Sequence, residues 1–302
     1  VFSGVATSVD CNSRWVSLDP FRGAIAAVAE SARNVSCVGA EPLAVTNNLN
    51  FSSPETELGY WQLSSSCNGI SEACKVLETP VTGGNVSLYN ESKNKDNEIT
   101  PINPTPVIGM VGKIDNVKKA ISSEWKNIND QIWLIGSYKS ETTIAASSYL
   151  EYFHGEITGR PPKIDLLDEK LCQNFLRNAI LKSFIISSHD ISDGGLAIAL
   201  AESCILSKKG AMIELQEDNR EDNILFAEGG SRIVFSVNKI KEREWLNYLK
   251  TNQINSQSSV YVKKLGYVSG ETLKIKIKDK NICNIKVEEL TKKFNNSISG
   301  NF

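Results

Sequence analysis

The sequence predicts an α/β chain of two domains. Three observations carry that reading. Strand-like and helix-like patterns alternate along most of the chain, the signature of helices layered on a sheet. Its 302 residues are enough for two domains of ordinary size. Between them lies "DNVKKAISSEWKNIND" (115–130), a polar connector after which the alternation starts again. The boundary is placed near residue 125, giving domains of residues 1–125 and 126–302.

Taken in order, "RWVSL" (14–18) reads as a strand. Asp19-Pro20 then opens a helix, with Ile25, Val28, Ala32 and Val35 on one stripe and Gly39 at its end. "PLAV" (42–45) is a second strand that runs into the polar Thr46-Asn47-Asn48. After Ser53-Pro54 a long helix carries Ile70, Ala73, Cys74 and Leu77 at helical spacing. "TPVIGMVG" (105–112) is another strand, preceded by the polar, proline-bearing "NESKNKDNEITPINP", read as a solvated loop. In the second domain "QIWLIG" (131–136) is a buried strand, followed by a helix over "TTIAASSYLEYF" and a further helix at 168–183. "FIISSHDISDGGLAIALAESCI" is strand, acidic turn and helix. Strands such as "RIVFSV" and "LKIKI" follow among alternating lysines and acids.

Composition excludes several classes. Hydrophobic residues make up 41% and charged residues 23%, with a formal net charge of -2. Nothing in that balance draws the chain to nucleic acid or an anionic membrane. No apolar run reaches the length of a bilayer span. The first residues lack the basic start and apolar core of a signal peptide, so a cytoplasmic location is expected. The seven cysteines are odd in number and scattered, so reduced thiols are expected rather than a disulfide framework. With no C-x-x-C pair and only His154 and His189 as histidines, a zinc site is not expected. The methionines are Met110 and Met212, and the missing initiator suggests processing or a piece of a longer chain.

Polar groups collect where strands end or helices begin, which is where open α/β sheets bind ligands. One such stretch is Thr46-Asn47-Asn48. A second is Gly83-Gly84-Asn85-Val86-Ser87. Its glycines suit either a bulge or hairpin corner, or a backbone cradle for phosphate with Asn85 and Ser87 adding oxygens. The third is "SSHDISDGGLAIALAE" (187–202). There Asp193 reads as an N-cap for the helix starting at Gly194-Gly195. Asp190 reads either as structure or as a magnesium ligand beside a phosphate seat at the helix start. His189 has no partner evident in sequence, "FAEGGSR" (226–232) reads as a turn, and neither common nucleotide-binding glycine motif is present.

Together "DCNSRWVSLDPFRGA", "VAESARNVSCVGAEPLAVTNNLNFSSPE", "GISEAC", "TPVTGGNVSLYNE", "PTPVIGMVG" and "SSHDISDGGLAIALAE" resemble the synthetase subunit of phosphoribosylformylglycinamidine synthase, over roughly residues 10 to 240. The resemblance implies an aminoimidazole-ribonucleotide-synthetase-like fold, with an N-terminal ATP-binding-type domain and a C-terminal α/β domain. It also implies the second half of a duplicated subunit, whose first half carries the family's catalytic histidines. No catalytic residue is therefore expected in this chain. The implied reaction joins ATP, formylglycinamide ribonucleotide and glutamine-derived ammonia into the amidine, with magnesium. The implied partners are the first half, a glutaminase subunit and a small accessory subunit, and a homodimer through the first domain is expected of the isolated chain.

Carried over position by position, the resemblance places nucleotide contacts at Asn47 and Gly84, a magnesium ligand at Asn85 and a substrate contact at Ser87. Asp190 and Asp193 would belong to a second site. Many family members have aspartate where this chain has Asn47, which puts metal ligation there in doubt. Two other readings stand beside this one: a stand-alone ATP-binding enzyme of the same superfamily, and a non-catalytic half that supports folding.

Overall fold

The computed structural model describes residues 2–252 and 259–297. In the N-terminal part, β1 (Gly4–Asp10) leads through the short α1 (Ser13–Leu18) into α2 (Pro20–Cys37). There follow β2 (Glu41–Asn50), α3 (Glu57–Leu77), β3 (Val81–Ser87), a small hairpin of β4 (Glu91–Lys93) and β5 (Ile99–Pro101), and β6 (Thr105–Ile114). Four strands form one mixed sheet in the order β1-β6-β2-β3. β6 is antiparallel to both β1 and β2, and β3 runs parallel to β2 as an edge.

One face of this sheet is covered and the other is not. Ile108, Met110, Val45 and Leu49 pack against the Ile25-Val28-Ala32-Val35 stripe of α2 and the Ile70-Ala73-Cys74-Leu77 stripe of α3. Asp19 caps α2 by accepting from the Arg22 amide at 3.0 Å, with Pro20 in the first turn. On the opposite face Val5, Val9, Leu43 and Val111 lie exposed, Val5 at 74% and Val9 at 71%.

The remainder builds a larger sheet. Its elements are β7 (Gln131–Ser137), β8 (Thr142–Thr143), α4 (Ser148–His154), α5 (Leu166–Leu181), β9 (Ile185–Asp190) and α6 (Gly195–Ser207). Then come β10 (Gly210–Leu215), α7 (Glu221–Phe226), β11 (Glu228–Gly229), β12 (Ile233–Val237), α8 (Glu242–Thr251), β13 (Val260–Ser269), β14 (Thr272–Ile277), β15 (Lys280–Lys286) and α9 (Val287–Asn296). Seven strands lie in the order β15-β14-β10-β13-β7-β12-β9. Every residue of β7 is buried, as its unbroken apolar run predicts, because both faces are covered. Leu134 faces Leu196 and Leu200 of α6, while Trp133 and Ile135 face Phe175 and Leu176 of α5 and Trp245 of α8.

Several readings of the sequence are corrected. Residues 14–18 are helical, because Asn12 accepts from the Trp15 amide and the Trp15 indole donates to the carbonyl of Ala146, 131 residues away. The first strand is instead 4–10. The polar segment after Ser87 contains the β4–β5 hairpin, and the helix expected over 142–153 begins only at Ser148. His154 is the last residue of that helix. Residues 83–87 form no corner, and a bulge-like register shift lies at their start, where Val45 pairs with Val81 and Thr46 with Gly83. They are the body of β3.

Candidate active site

The pairing of β2 with β3 brings the first group of predicted residues together. Asn47 stands opposite Gly84, Asn48 opposite Asn85 and Asn50 opposite Ser87. The Asn85 amide donates to Asn48 Oδ1 at 3.2 Å, and Ser87 Oγ donates to Asn90 Oδ1 at 3.1 Å. β3 is an edge strand exposed along nearly its whole length; Asn47 and Gly84 share the face of buried Ile108, while Asn48, Asn85 and Ser87 lie on the other face, so the edge offers polar groups to both sides. Gly84 is needed for close approach, not for an unusual backbone angle. A β-carbon there would overlap both the side-chain and backbone oxygens of Asn47, whereas one at Gly83 meets nothing. No hydrogen bond or ion pair joins a carboxylate to Asn47, Asn48 or Asn85 among the described residues.

A second group lies further along the same row of the sheet. Asp10, Ile108, Asn47 and Gly84 are successive cross-strand partners. At about 4.8 Å per strand, Asp10 sits roughly 10 Å from Asn47. Asp10 accepts from Asn34 Nδ2 at 2.9 Å and from the Ser8 hydroxyl. Around it gather Glu30 and Arg33 from α2 and Asp190 from the end of β9. Burial, then repulsion from Asp190, holds the Glu30 carboxyl well above the usual range. Burial also raises Asp10. Cys11 is pushed up to about 12 by burial and by the charges of Glu30 and Asp10.

Asp190 behaves differently. Burial would raise it, but the His189 hydrogen bond and the Arg33 charge outweigh burial and lower it. His189 has the partners that sequence did not reveal: Nδ1 faces Asp190 Oδ1 at 3.1 Å and Nε2 faces Glu202 Oε2 at 2.9 Å. Burial opposes charge on this imidazole, yet the two carboxylates raise it to about 9. The other Asp190 oxygen, Oδ2, is buried without a hydrogen bond, with Arg33 Nη1 3.9 Å away. Arg33 itself is clamped to Glu169 of α5 by bonds of 3.0 and 3.2 Å, and Ser231 and Gln173 complete that carboxylate at 2.8 Å each. Among the described residues, no three His, Cys, Asp or Glu side chains stand at metal-ligand spacing.

Asp193 does not join this group, and it does not cap α6. The N-cap is Gly194, at φ +77°, without a side-chain cap. Asp193 is exposed and accepts from Asn12 at 3.1 Å and Arg14 at 3.3 Å. The helix start is also not an open phosphate seat. Glu228, within the glycine-rich 226–232, accepts from the amides of Gly194 and Ser148, both at 2.8 Å. One buried carboxylate thus occupies the first turns of both α6 and α4. Gly195 lacks a β-carbon because the carbonyls of Leu225 and Ala227 crowd it. Arg14 binds the cluster from outside, reaching Ala146 O at 3.0 Å, Glu151 at 2.7 Å and Glu228 at 3.6 Å.

Residues 2–114 match the family described as AIR synthase related protein, N-terminal domain, and residues 127–260 match its C-terminal domain. Phosphoribosylformylglycinamidine synthase subunit PurL of Prochlorococcus marinus (strain MIT 9312) is 86% identical over 303 residues, covering all of this chain and 39% of the relative. The same subunit of strain MIT 9303 is 55% identical over 276 residues, covering 89% of this chain and 35% of the relative. The chain therefore spans about two fifths of the length of the curated relatives it matches. A solved structure of Thermotoga maritima PurL complexed with FGAR superposes with a TM-score of 0.75 at 17% identity, over 96% of this chain and 46% of that one. Thiamine-monophosphate kinase from Stenotrophomonas maltophilia K279a superposes with a TM-score of 0.59 at 14% identity, over 93% and 87%. At these identities the structural likeness speaks to the fold.

Proposed function

The chain belongs to the AIR synthase related family, in its phosphoribosylformylglycinamidine synthase branch, and from that premise we propose that it is the second half of the synthetase subunit. The whole protein would use ATP to activate the formamide oxygen of formylglycinamide ribonucleotide. Ammonia released from glutamine by a glutaminase subunit would then displace phosphate, giving the amidine, ADP and phosphate for purine biosynthesis. A small accessory subunit would complete the assembly. The division into residues 1–125 and 126–302 belongs to the same proposal.

The observation that carries this reading is the β2–β3 strip. Its open edge gathers Asn47, Gly84, Asn85 and Ser87 in register. In the proposal Gly84 makes room for the Asn47 amide, which contacts the nucleotide together with the Gly84 backbone, Asn85 offers an amide oxygen to magnesium, and Ser87 orients the substrate. Magnesium is a hard cation that takes one or two carboxylates and keeps several waters. The strip offers it neutral oxygens, whereas Asp190 Oδ2, beside Asp10 and Glu30, offers a buried carboxylate oxygen with no hydrogen bond. We therefore assign Asp190 as the magnesium ligand of the second site, where the bound ion would neutralise phosphate charge. Asp193, tied to Arg14 and Asn12 at the surface, is left to border that site.

A second feature agrees with an incomplete site. The uncovered sheet face exposes Val5, Val9, Leu43 and Val111, as expected where another half packs. The test is reconstitution. The chain with ATP, magnesium and ammonia should make no amidine, and the remaining three fifths of a full-length relative, added in trans, should restore turnover. Addition of the glutaminase should then allow glutamine to replace ammonia. Amidine formation by the chain alone would instead establish a stand-alone enzyme. A reconstituted enzyme indifferent to Asn85→Ala and Ser87→Ala would leave the strip a structural half.

A further inference from the structure

His189 and Asp190 are consecutive residues of β9, so their side chains start from opposite faces of the sheet. Asp190 turns toward α2, where Arg33 and Glu30 lie, and His189 turns toward α6. The imidazole nevertheless meets Asp190 Oδ1 at 3.1 Å, on β9, the last strand of its sheet. Its far nitrogen is fixed by Glu202 of α6 at 2.9 Å. Each ring nitrogen stands within hydrogen-bonding distance of one acid, so the plane of the ring is determined from both ends. The consequence for Asp190 is asymmetric. One carboxylate oxygen is engaged, and the other is buried without a hydrogen bond, its nearest charge the Arg33 guanidinium at 3.9 Å.

We infer that His189, braced by Glu202, is a positioning residue that fixes the Asp190 carboxylate so that Oδ2 is presented to a divalent cation. The inference rests on the assignment of Asp190 as a magnesium ligand. Outer partners that orient a metal ligand are typically worth 10–100-fold in metal affinity. A residue that merely tied β9 to α6 would show no such dependence, and two conservative replacements separate the roles. In His189→Asn the amide nitrogen falls near the position of Nδ1 and can still donate to Asp190. In His189→Gln it falls near Nε2, keeping Glu202 and releasing Asp190.

The experiment is titration of the full chain with Mn2+, following the free aquo ion by electron paramagnetic resonance, alongside the melting temperature of each variant. His189→Gln should weaken Mn2+ binding about 10-fold or more, and His189→Asn less than about threefold, with both variants folded. Equal affinities for the two variants overturn the inference, as does a loss that tracks melting temperature. If both variants fail to fold, Glu202→Gln decides: a threefold or greater weakening supports the inference and no change overturns it. Asp190→Asn tests the premise separately. If it binds Mn2+ like the unaltered chain, or if the unaltered chain binds none, the magnesium assignment itself falls.

Discussion

Two adjacent glycines with the same composition have opposite sensitivities. An alanine at Gly84 must push against the backbone carbonyl of Asn47, which cannot rotate away, and so parts β3 from β2. Overpacking of this kind costs about 1–3 kcal/mol. The same change at Gly83 meets open space and should fall within about 0.5 kcal/mol of neutral. Urea titration of Gly83→Ala and Gly84→Ala tests the contrast, and equal midpoints would refute it. Thiols give a second reading at this scale. All seven cysteines are free, with Cys67 exposed and Cys37, Cys74, Cys172 and Cys204 buried. Burial pushes Cys204 up to about 12, so at pH 8 about one such thiol in ten thousand is ionised and able to react. An aromatic disulfide reagent should modify Cys67 rapidly in the native chain and all seven cysteines after denaturation. Fast native reaction at Cys204 would contradict the packing.

At the scale of elements, Glu228 joins the start of α4 to the start of α6, though 80 and 34 residues separate it from the amides it holds. Glu228→Ala leaves two recessed donors without an acceptor, at a cost of about 1–3 kcal/mol. The variant should unfold at lower urea, and its Gly194 amide should exchange faster with solvent. Unchanged exchange at Gly194 would deny the link. This contact also marks where sequence reading stops. α2, α3, α5, β7 and the β9–α6 unit were legible because apolar spacing and caps are local. α1 was misread because the five residues "RWVSL" fit either period, and Asn12 and Ala146 settle the matter from outside. β3 was misread because its pairing partner, β2, lies 37 residues earlier and glycines suggest corners. The strip of Asn47, Gly84, Asn85 and Ser87 was reached through family resemblance. Asp10, Glu30 and the brace from Glu202 were missed, since each comes from a separate element and no short motif contains them.

For the whole molecule, the uncovered face of the four-stranded sheet is the largest demand left unmet. Phe2, Val5, Val9 and Leu43 expose apolar surface on or beside it, and the isolated chain should self-associate as a dimer through this face. Sedimentation velocity should show a concentration-dependent dimer that Val9→Lys with Leu43→Lys converts to monomer. A monomer at all concentrations in the unaltered chain would remove the prediction. The buried Arg33–Glu169 clamp bears on a different matter, the mechanics of the chain. Arg33 belongs to the helix under the small sheet and Glu169 to the helix under the large one. Removing one partner of such a pair typically costs about 3–5 kcal/mol. The clamp ties α2 to α5 across the connector at 115–130, whose own Trp125 is buried. A load applied at the tip of β3 therefore has a route to the large sheet through the side chains that join α2 to α5, and not only along the backbone.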